Sequence, residues 1–284
     1  MTHAAALSLS HLPYPKPANT PPAARLWALI PCAGIGTRAF SGETAGASPP
    51  LPKQYQPVAN QPMVLHTLAA FASVQRLHGT LVAVVPGDHF LDAHAAQLSF
   101  FVADCGGPTR ADTVLGGLRA LRQRGASERD WVLVHDAARC LITPEQIDAL
   151  IDACAVDAVG GLLAHKLTDT LKTALAGPSG IRVSSTVDRS DKWLAQTPQM
   201  FRLGALQEAI EKVGAAVTDE ASAMEAMGLH PLLVPGSALN FKVTYPQDFV
   251  LAQAVLTQRA HSGTIDRFGG ERGLVSDIPV KTIF

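Results

Sequence analysis

Short apolar runs alternate along the chain with longer segments in which apolar positions recur every three or four residues. The runs Leu26–Ile30, Leu81–Val85, Trp131–His135 and Gly161–Ala164 predict buried strands. The segments Pro62–Val74, Arg110–Arg124 and Pro144–Ala155, lying between them, predict helices. This alternation builds an α/β fold: a mainly parallel sheet whose crossover helices cover its faces. Ligands of such sheets collect at the carboxyl ends of the strands.

The pattern changes between Thr168 and Thr197. Two β-prone runs, Thr170–Thr173 and Ile181–Val187, are joined through Gly177-Pro178-Ser179-Gly180 and predict a hairpin projecting from the α/β body. A lone hairpin is marginally stable, so it is expected to pack on something else, such as a second subunit. Helices are expected again at Arg202–Val213 and Thr218–Met227, then strands near Pro231–Val234 and Asn240–Val243, then a helix from about Tyr245 to Gln258. Residues 260–284 read as a loosely ordered tail. Residues 1–24, with Pro13, Pro15, Pro17, Pro21 and Pro22, read as a disordered leader ahead of one domain over 25–259.

Composition narrows the class. With 284 residues and 47% hydrophobic content, one sizeable core can form. A net charge of −1 supplies no global field for nucleic acid or an anionic membrane, so any phosphate must be held by local clusters. The four cysteines, Cys32, Cys105, Cys140 and Cys154, lack paired zinc or disulfide spacing, which points to the reducing cytoplasm. No apolar run is long enough to span a bilayer.

The chemistry gathers where strands run out. After Leu26–Ile30 comes Pro31-Cys32-Ala33-Gly34-Ile35-Gly36-Thr37-Arg38, answered downstream by Pro52-Lys53-Gln54-Tyr55. A glycine turn can present backbone N–H groups to phosphate, with Arg38 and Lys53 as fixed cations beside it. The bare G-x-G also fits a tight turn without function, since it completes neither a dinucleotide fingerprint nor a P-loop. His135-Asp136-Ala137-Ala138-Arg139 ends another strand. Asp136 suits a Mg²⁺ ion that also takes substrate phosphates, and Arg139 suits a second phosphate; a structural Asp–Arg pair is the alternative. His135 reads as a packed, hydrogen-bonded histidine. Thr168-Asp169-Thr170 with Lys172, Asp188-Arg189 and Gln196-Thr197-Pro198-Gln199 read singly as polar loops, although threonine and arginine suit a sugar phosphate. Thr218 reads as a helix N-cap. Lys242 lies inside a β-prone run, where a purely structural role favours an apolar residue.

Taken in order, PCAGIGTR, PKQY, TRADTV, VLVHDAAR, TDTLK, TVDR, TPQMF, TDEASAMEAMG and NFKVT resemble the 2-C-methyl-D-erythritol 4-phosphate cytidylyltransferases of isoprenoid precursor synthesis, over roughly Leu26 to Gln258. The resemblance implies a nucleotidyltransferase-like, Rossmann-type sheet flanked by helices and a homodimer formed through the projecting β arm. It also implies CTP and the methylerythritol phosphate as substrates, with Mg²⁺. By position, Arg38, Lys53 and Lys242 would be catalytic cations, and Ala33, Gly34, Gly36, Gly107 and Thr113 would line the CTP site. Asp136 would stand near the metal and ligands, and Arg139, Thr170, Arg189 and Thr218 would hold the sugar phosphate.

The chain departs from that pattern in places. Phe40–Leu51 is longer than the family's compact loop and reads as a lid over CTP. Cys32 stands for a small alanine, Cys140 for a proline, Pro108 for a polar residue and Lys166 for a proline. The tail lacks the Asp-x-His motif of the cyclase domain that some relatives carry, so a single activity is expected. Rival readings are a ribitol 5-phosphate cytidylyltransferase and a non-catalytic CTP-binding protein. A dinucleotide oxidoreductase would need a third glycine and an earlier acidic ribose ligand.

Overall fold

In the computed structural model, the described residues are 23–34, 51–94, 99–214 and 217–268. Gly36, Arg38, residues 40–50 of the long loop, most of the leader and the tail beyond 268 lie outside them.

Seven strands form the central sheet, and a separate small ribbon pairs β2 (Pro57–Val58) with β3 (Gln61–Pro62). Across the central sheet they run β11 (Leu232–Pro235), β7 (Gly160–Lys166), β10 (Trp193–Arg202), β6 (Trp131–Val134), β1 (Leu26–Pro31), β4 (Gly79–Val84) and β5 (Phe100–Asp104). All neighbours run parallel except β10, which is antiparallel to β6 and β7. β5 is not marked by the apolar pattern, because an edge strand buries only part of its side chains.

Period-two alternation sorts β1 onto two cores. Ala28 and Ile30 pack with helices α1 (Met63–Ala72) and α3 (Pro144–Cys154). Trp27 and Leu29 pack on the other face with α2 (Arg110–Gln123), α4 (Leu203–Val213) and α5 (Glu220–Ala226). Burying each large side chain contributes about 1.5–3 kcal/mol, so both faces must be covered for the sheet to hold. A smaller cluster joins Val58, Met63, Ala138, Leu141, Val243 and Ala252, fixing the turn after β6 against the last helix, α6 (Pro246–Phe268).

The hairpin is real: β8 (Leu171–Gly177) pairs antiparallel with β9 (Gly180–Val187). It ends earlier than expected, because the chain rejoins the central sheet at Trp193. Gln196, Thr197 and Gln199 are therefore not loop residues but buried polar groups of β10. Two other expectations need correction. Asn240–Val243 is irregular rather than a strand, because its backbone bonds sideways to the turn after β6, through Val243 N–H to Ala138 O at 2.9 Å. Helix α6 runs past Gln258 to Phe268, so residues 260–268 of the expected tail are helical.

Candidate active site

At the carboxyl ends of β1 and β4 the chain must turn without side chains in the way. Cys32 N–H donates to Ala83 O at 2.8 Å, and Gly106 N–H to Val84 O at 2.8 Å. A Cβ on Gly106 would lie 2.4 Å from the Ala33 Cβ, and one on Gly107 would lie 2.4 Å from the Asp112 Cβ. Only glycine lets these segments approach so closely. The start of α2 is then fixed by a capping box between Thr109 and Asp112. Thr113 Oγ1 accepts from Gly107 N–H at 3.1 Å and donates to Thr109 O at 3.0 Å.

Lys53 enters from a single 3₁₀ turn, Lys53–Tyr55. Gln54 ties that turn to β1 by donating to Cys32 O at 2.8 Å, and the Tyr55 hydroxyl donates to Asp88 at 2.6 Å. Lys53 Nζ donates to Val243 O at 2.6 Å, which places it beside the segment that carries Lys242.

Asp136 follows β6 and is almost wholly buried. Its Oδ1 accepts from Arg110 Nε at 2.8 Å, and its Oδ2 lies 2.9 Å from Lys242 Nζ and 3.7 Å from Arg139 Nε. Burial alone would raise the carboxyl's pKa. Arg110, then Lys242 and Arg139, outweigh that effect and hold it well below the usual carboxylate range. Arg110 in turn forks onto Glu220 at 2.7 and 3.1 Å. Arg139 donates to Asn240 O at 2.7 Å, while its Nε has no hydrogen-bond partner among the described residues.

Ala33, Gly34, Lys53, Gly107, Thr113, Asp136 and Lys242 line one cavity of about 250 Å³. Thr170 and Arg189 do not line it; both are exposed at the root of the hairpin, beside the Leu171–Val187 pair. Thr218 is exposed too, and it is not the N-cap of α5. Asp219 takes that role, accepting from Ser222 N–H at 2.9 Å, because its carboxylate forms the reciprocal box with Ser222. Arg110 and Glu220 are absent from the site residues that the sequence pattern marks. One signal was available for Arg110: a cation in the first turn of a helix opposes the macrodipole, which calls for acidic partners elsewhere. Glu220 gave none, since an acid suits that position.

A larger depression of about 770 Å³ lies at the opposite end of the sheet, between Arg122, Glu128, Arg129 and Arg202. Arg122 and Glu128 pair there at 2.7 Å, and the antiparallel β10 delivers its carboxyl end to it at Arg202.

His135 is fully buried and bonded at both nitrogens. Because Arg139 O can only accept, Nε2 carries the hydrogen (3.2 Å), and Nδ1 takes the Thr197 hydroxyl at 3.0 Å. Thr197 Oγ1 also accepts from Asp136 N–H at 3.0 Å, so this chain of bonds shapes the turn that presents Asp136 and Arg139. Burial pushes the His135 pKa down to about 3. The unfolded chain therefore takes up a proton near pH 6.5 that the folded one refuses. Stability contributed by neutral His135 is lost as pH falls from about 6.5 toward 3, by up to about 1.4 kcal/mol per pH unit. Melts of the protein and of His135→Gln between pH 7 and 4.5 check this. The two curves should converge as pH falls, and parallel curves would refute it.

A model of the family described as IspD, 2-C-methyl-D-erythritol 4-phosphate cytidylyltransferase, matches residues 26–258. The bifunctional enzyme IspD/IspF of Albidiferax ferrireducens is 62% identical over 237 residues, which are 83% of this chain and 54% of that protein. The chain thus spans about half the length of that relative. The 2-C-methyl-D-erythritol 4-phosphate cytidylyltransferase of Cupriavidus pinatubonensis is 49% identical over 247 residues, covering 82% of this chain and 94% of that one. Among solved structures, a 4-diphosphocytidyl-2C-methyl-D-erythritol synthase superposes with a TM-score of 0.70 at 39% identity, over 82% of this chain and 98% of that one. The Francisella tularensis cytidylyltransferase superposes with a TM-score of 0.66 at 31% identity, over 81% and 99%.

Proposed function

Because the chain belongs to the 2-C-methyl-D-erythritol 4-phosphate cytidylyltransferase family, we infer that it transfers CMP from CTP to 2-C-methyl-D-erythritol 4-phosphate. The observation that carries this for the site is the convergence of Lys53 and Lys242 on one cavity at the carboxyl end of the sheet, beside ionised Asp136.

A phosphate oxygen of the sugar alcohol attacks the α-phosphorus of CTP. The new P–O bond forms as the bond to the bridging oxygen breaks, and pyrophosphate leaves with that electron pair. The nucleophile is already anionic, so no serine, cysteine or histidine need be activated. The barrier is the meeting of two polyanions and the charge that builds at the α-phosphate. Lys53, Lys242 and Arg38 are the proposed cations that offset this charge. Ala33, Gly34, Gly36, Gly107 and Thr113 are the proposed CTP contacts, and the close approach of backbone at Gly106 and Gly107 supports a cradle there. Arg139, whose Nε lies 3.7 Å from Asp136 Oδ2, is the proposed contact for the sugar phosphate, although it is not among the residues lining the cavity.

Mg²⁺ fits this site only as a companion of the triphosphate. Among the described residues no group of three or more His, Cys, Asp or Glu could hold a metal, and both Asp136 oxygens already face cations. Bound with CTP, the ion would neutralise phosphate charge, with Asp136 as its protein neighbour. The hairpin exposes Leu175, Ile181 and Val183, which supports a homodimer made through it, with Thr170, Arg189 and Thr218 as further substrate contacts. Unpaired, mostly buried cysteines support a cytoplasmic setting for a catalytic domain over 25–259. Among the described residues no helix is long and apolar enough to cross a membrane.

Pyrophosphate release is expected only when CTP, the methylerythritol phosphate and Mg²⁺ are all present. Faster release with ribitol 5-phosphate would favour that rival, and CTP binding without release would overturn the enzymatic reading.

A further inference from the structure

Beyond the cations that face the cavity, we infer that Glu220 and Arg110 form a positioning pair that sets Lys242 through Asp136. This inference rests on the catalytic reading of Lys242. Glu220 is 1% exposed, yet it accepts from both terminal nitrogens of Arg110, at 2.7 and 3.1 Å. A guanidinium held at both ends has a fixed plane, so its Nε–H is committed to Asp136 Oδ1 at 2.8 Å. That contact orients the carboxylate and leaves Oδ2 facing Lys242 Nζ at 2.9 Å. The order is carboxylate, guanidinium, carboxylate, ammonium, each member held by the one before it.

The far end is fastened to the same sheet. Gln199 Oε1 accepts from Ala221 N–H at 2.7 Å, and Gln199 Nε2 donates to Asp219 at 2.8 Å. Gln199 is opposite Val134, two residues before Asp136. The Glu220 and Asp136 members are therefore referred to neighbouring strands, which fixes the carboxylate that faces Lys242.

Stability alone is a poor reason for this arrangement. A buried ion pair often does no better than apolar residues of similar volume, and Arg110 also sits against the dipole of its own helix. Its side chain is 28% exposed and lines the cavity, so it meets the ligand space that Lys242 serves. Glu220 also offsets Arg110's charge.

The test is a double-mutant cycle with Glu220→Gln, which keeps the shape and removes the charge, and Lys242→Ala. Glu220→Gln alone should lower kcat roughly 10–100-fold with KM for CTP unchanged, since small misplacements cost about that much. In the Lys242→Ala background the same change should cost less than about twofold. Equal losses in both backgrounds, with Lys242→Ala itself impaired, would overturn the inference alone. A lower melting temperature with unchanged kcat per active site would do the same. Full turnover by Lys242→Ala would remove the premise and overturn both readings. If Glu220→Gln does not fold, Arg110→Lys keeps the cation without the fork and must give the same non-additivity.

Discussion

Lys242→Ala is expected to lower kcat by about 10²–10³-fold, the range seen when one oxyanion-hole donor is removed. The fold should survive the change. The backbone around Lys242 is held by its neighbours: the Asn240 side chain donates to Thr197 O at 2.8 Å, and Val243 N–H donates to Ala138 O at 2.9 Å. The lysine side chain itself is 36% exposed and belongs to none of the apolar clusters. Asp136 keeps Arg110 and Arg139, so no buried charge is stranded. Because the interaction strengthens as charge builds at phosphorus, kcat and kcat/KM should fall together. Steady-state pyrophosphate release and a melting curve on the same preparation check both halves. Turnover within about twofold of normal would end the assignment.

Asp136→Asn has the opposite balance, a large loss of stability as well as of turnover. The change leaves Arg110, Arg139 and Lys242 around a neutral amide in a buried place, with only Glu220 to offset them. Removing one partner from a buried ionic group costs about 3–5 kcal/mol. With Glu220 still present the lower end applies, and about 3 kcal/mol corresponds to roughly 6–12 °C in Tm for a domain of this size. The triphosphate is itself a polyanion, so it takes over part of the role of the missing carboxylate. Saturating CTP should therefore narrow the Tm gap between the variant and the parent protein. A gap that CTP leaves unchanged would show that these cations do not face the nucleotide. Turnover should fall at least about tenfold, since the group that orients Lys242 is gone.

Much of this was legible in the chain. Apolar runs ending in PCAG and HDAAR state that β1 and β6 are buried and open into polar turns. The helical pattern from Arg110 marks where α2 begins. Other features were written in contacts between distant residues. The Asn240–Thr244 run has strand-like residue types, but its backbone partner is Ala138, and no periodicity reports a bond made across the fold. Thr218 and Asp219 are both good N-caps in isolation; the choice fell to Asp219 because its carboxylate also receives Gln199.

The sequence by itself determined the α/β class, the two-faced burial of the sheet, the hairpin and the residue types that handle phosphate. These follow from local periodicity, turn chemistry and charge, each expressed within a few residues. Only the tertiary structure decided that Asp136 is shared by three cations, that Glu220 stands behind Arg110, and that Lys53 and Lys242 meet through Val243. Coulombic and hydrogen-bond partners are chosen by distance in space, and residues more than a hundred positions apart become neighbours only once the sheet has formed.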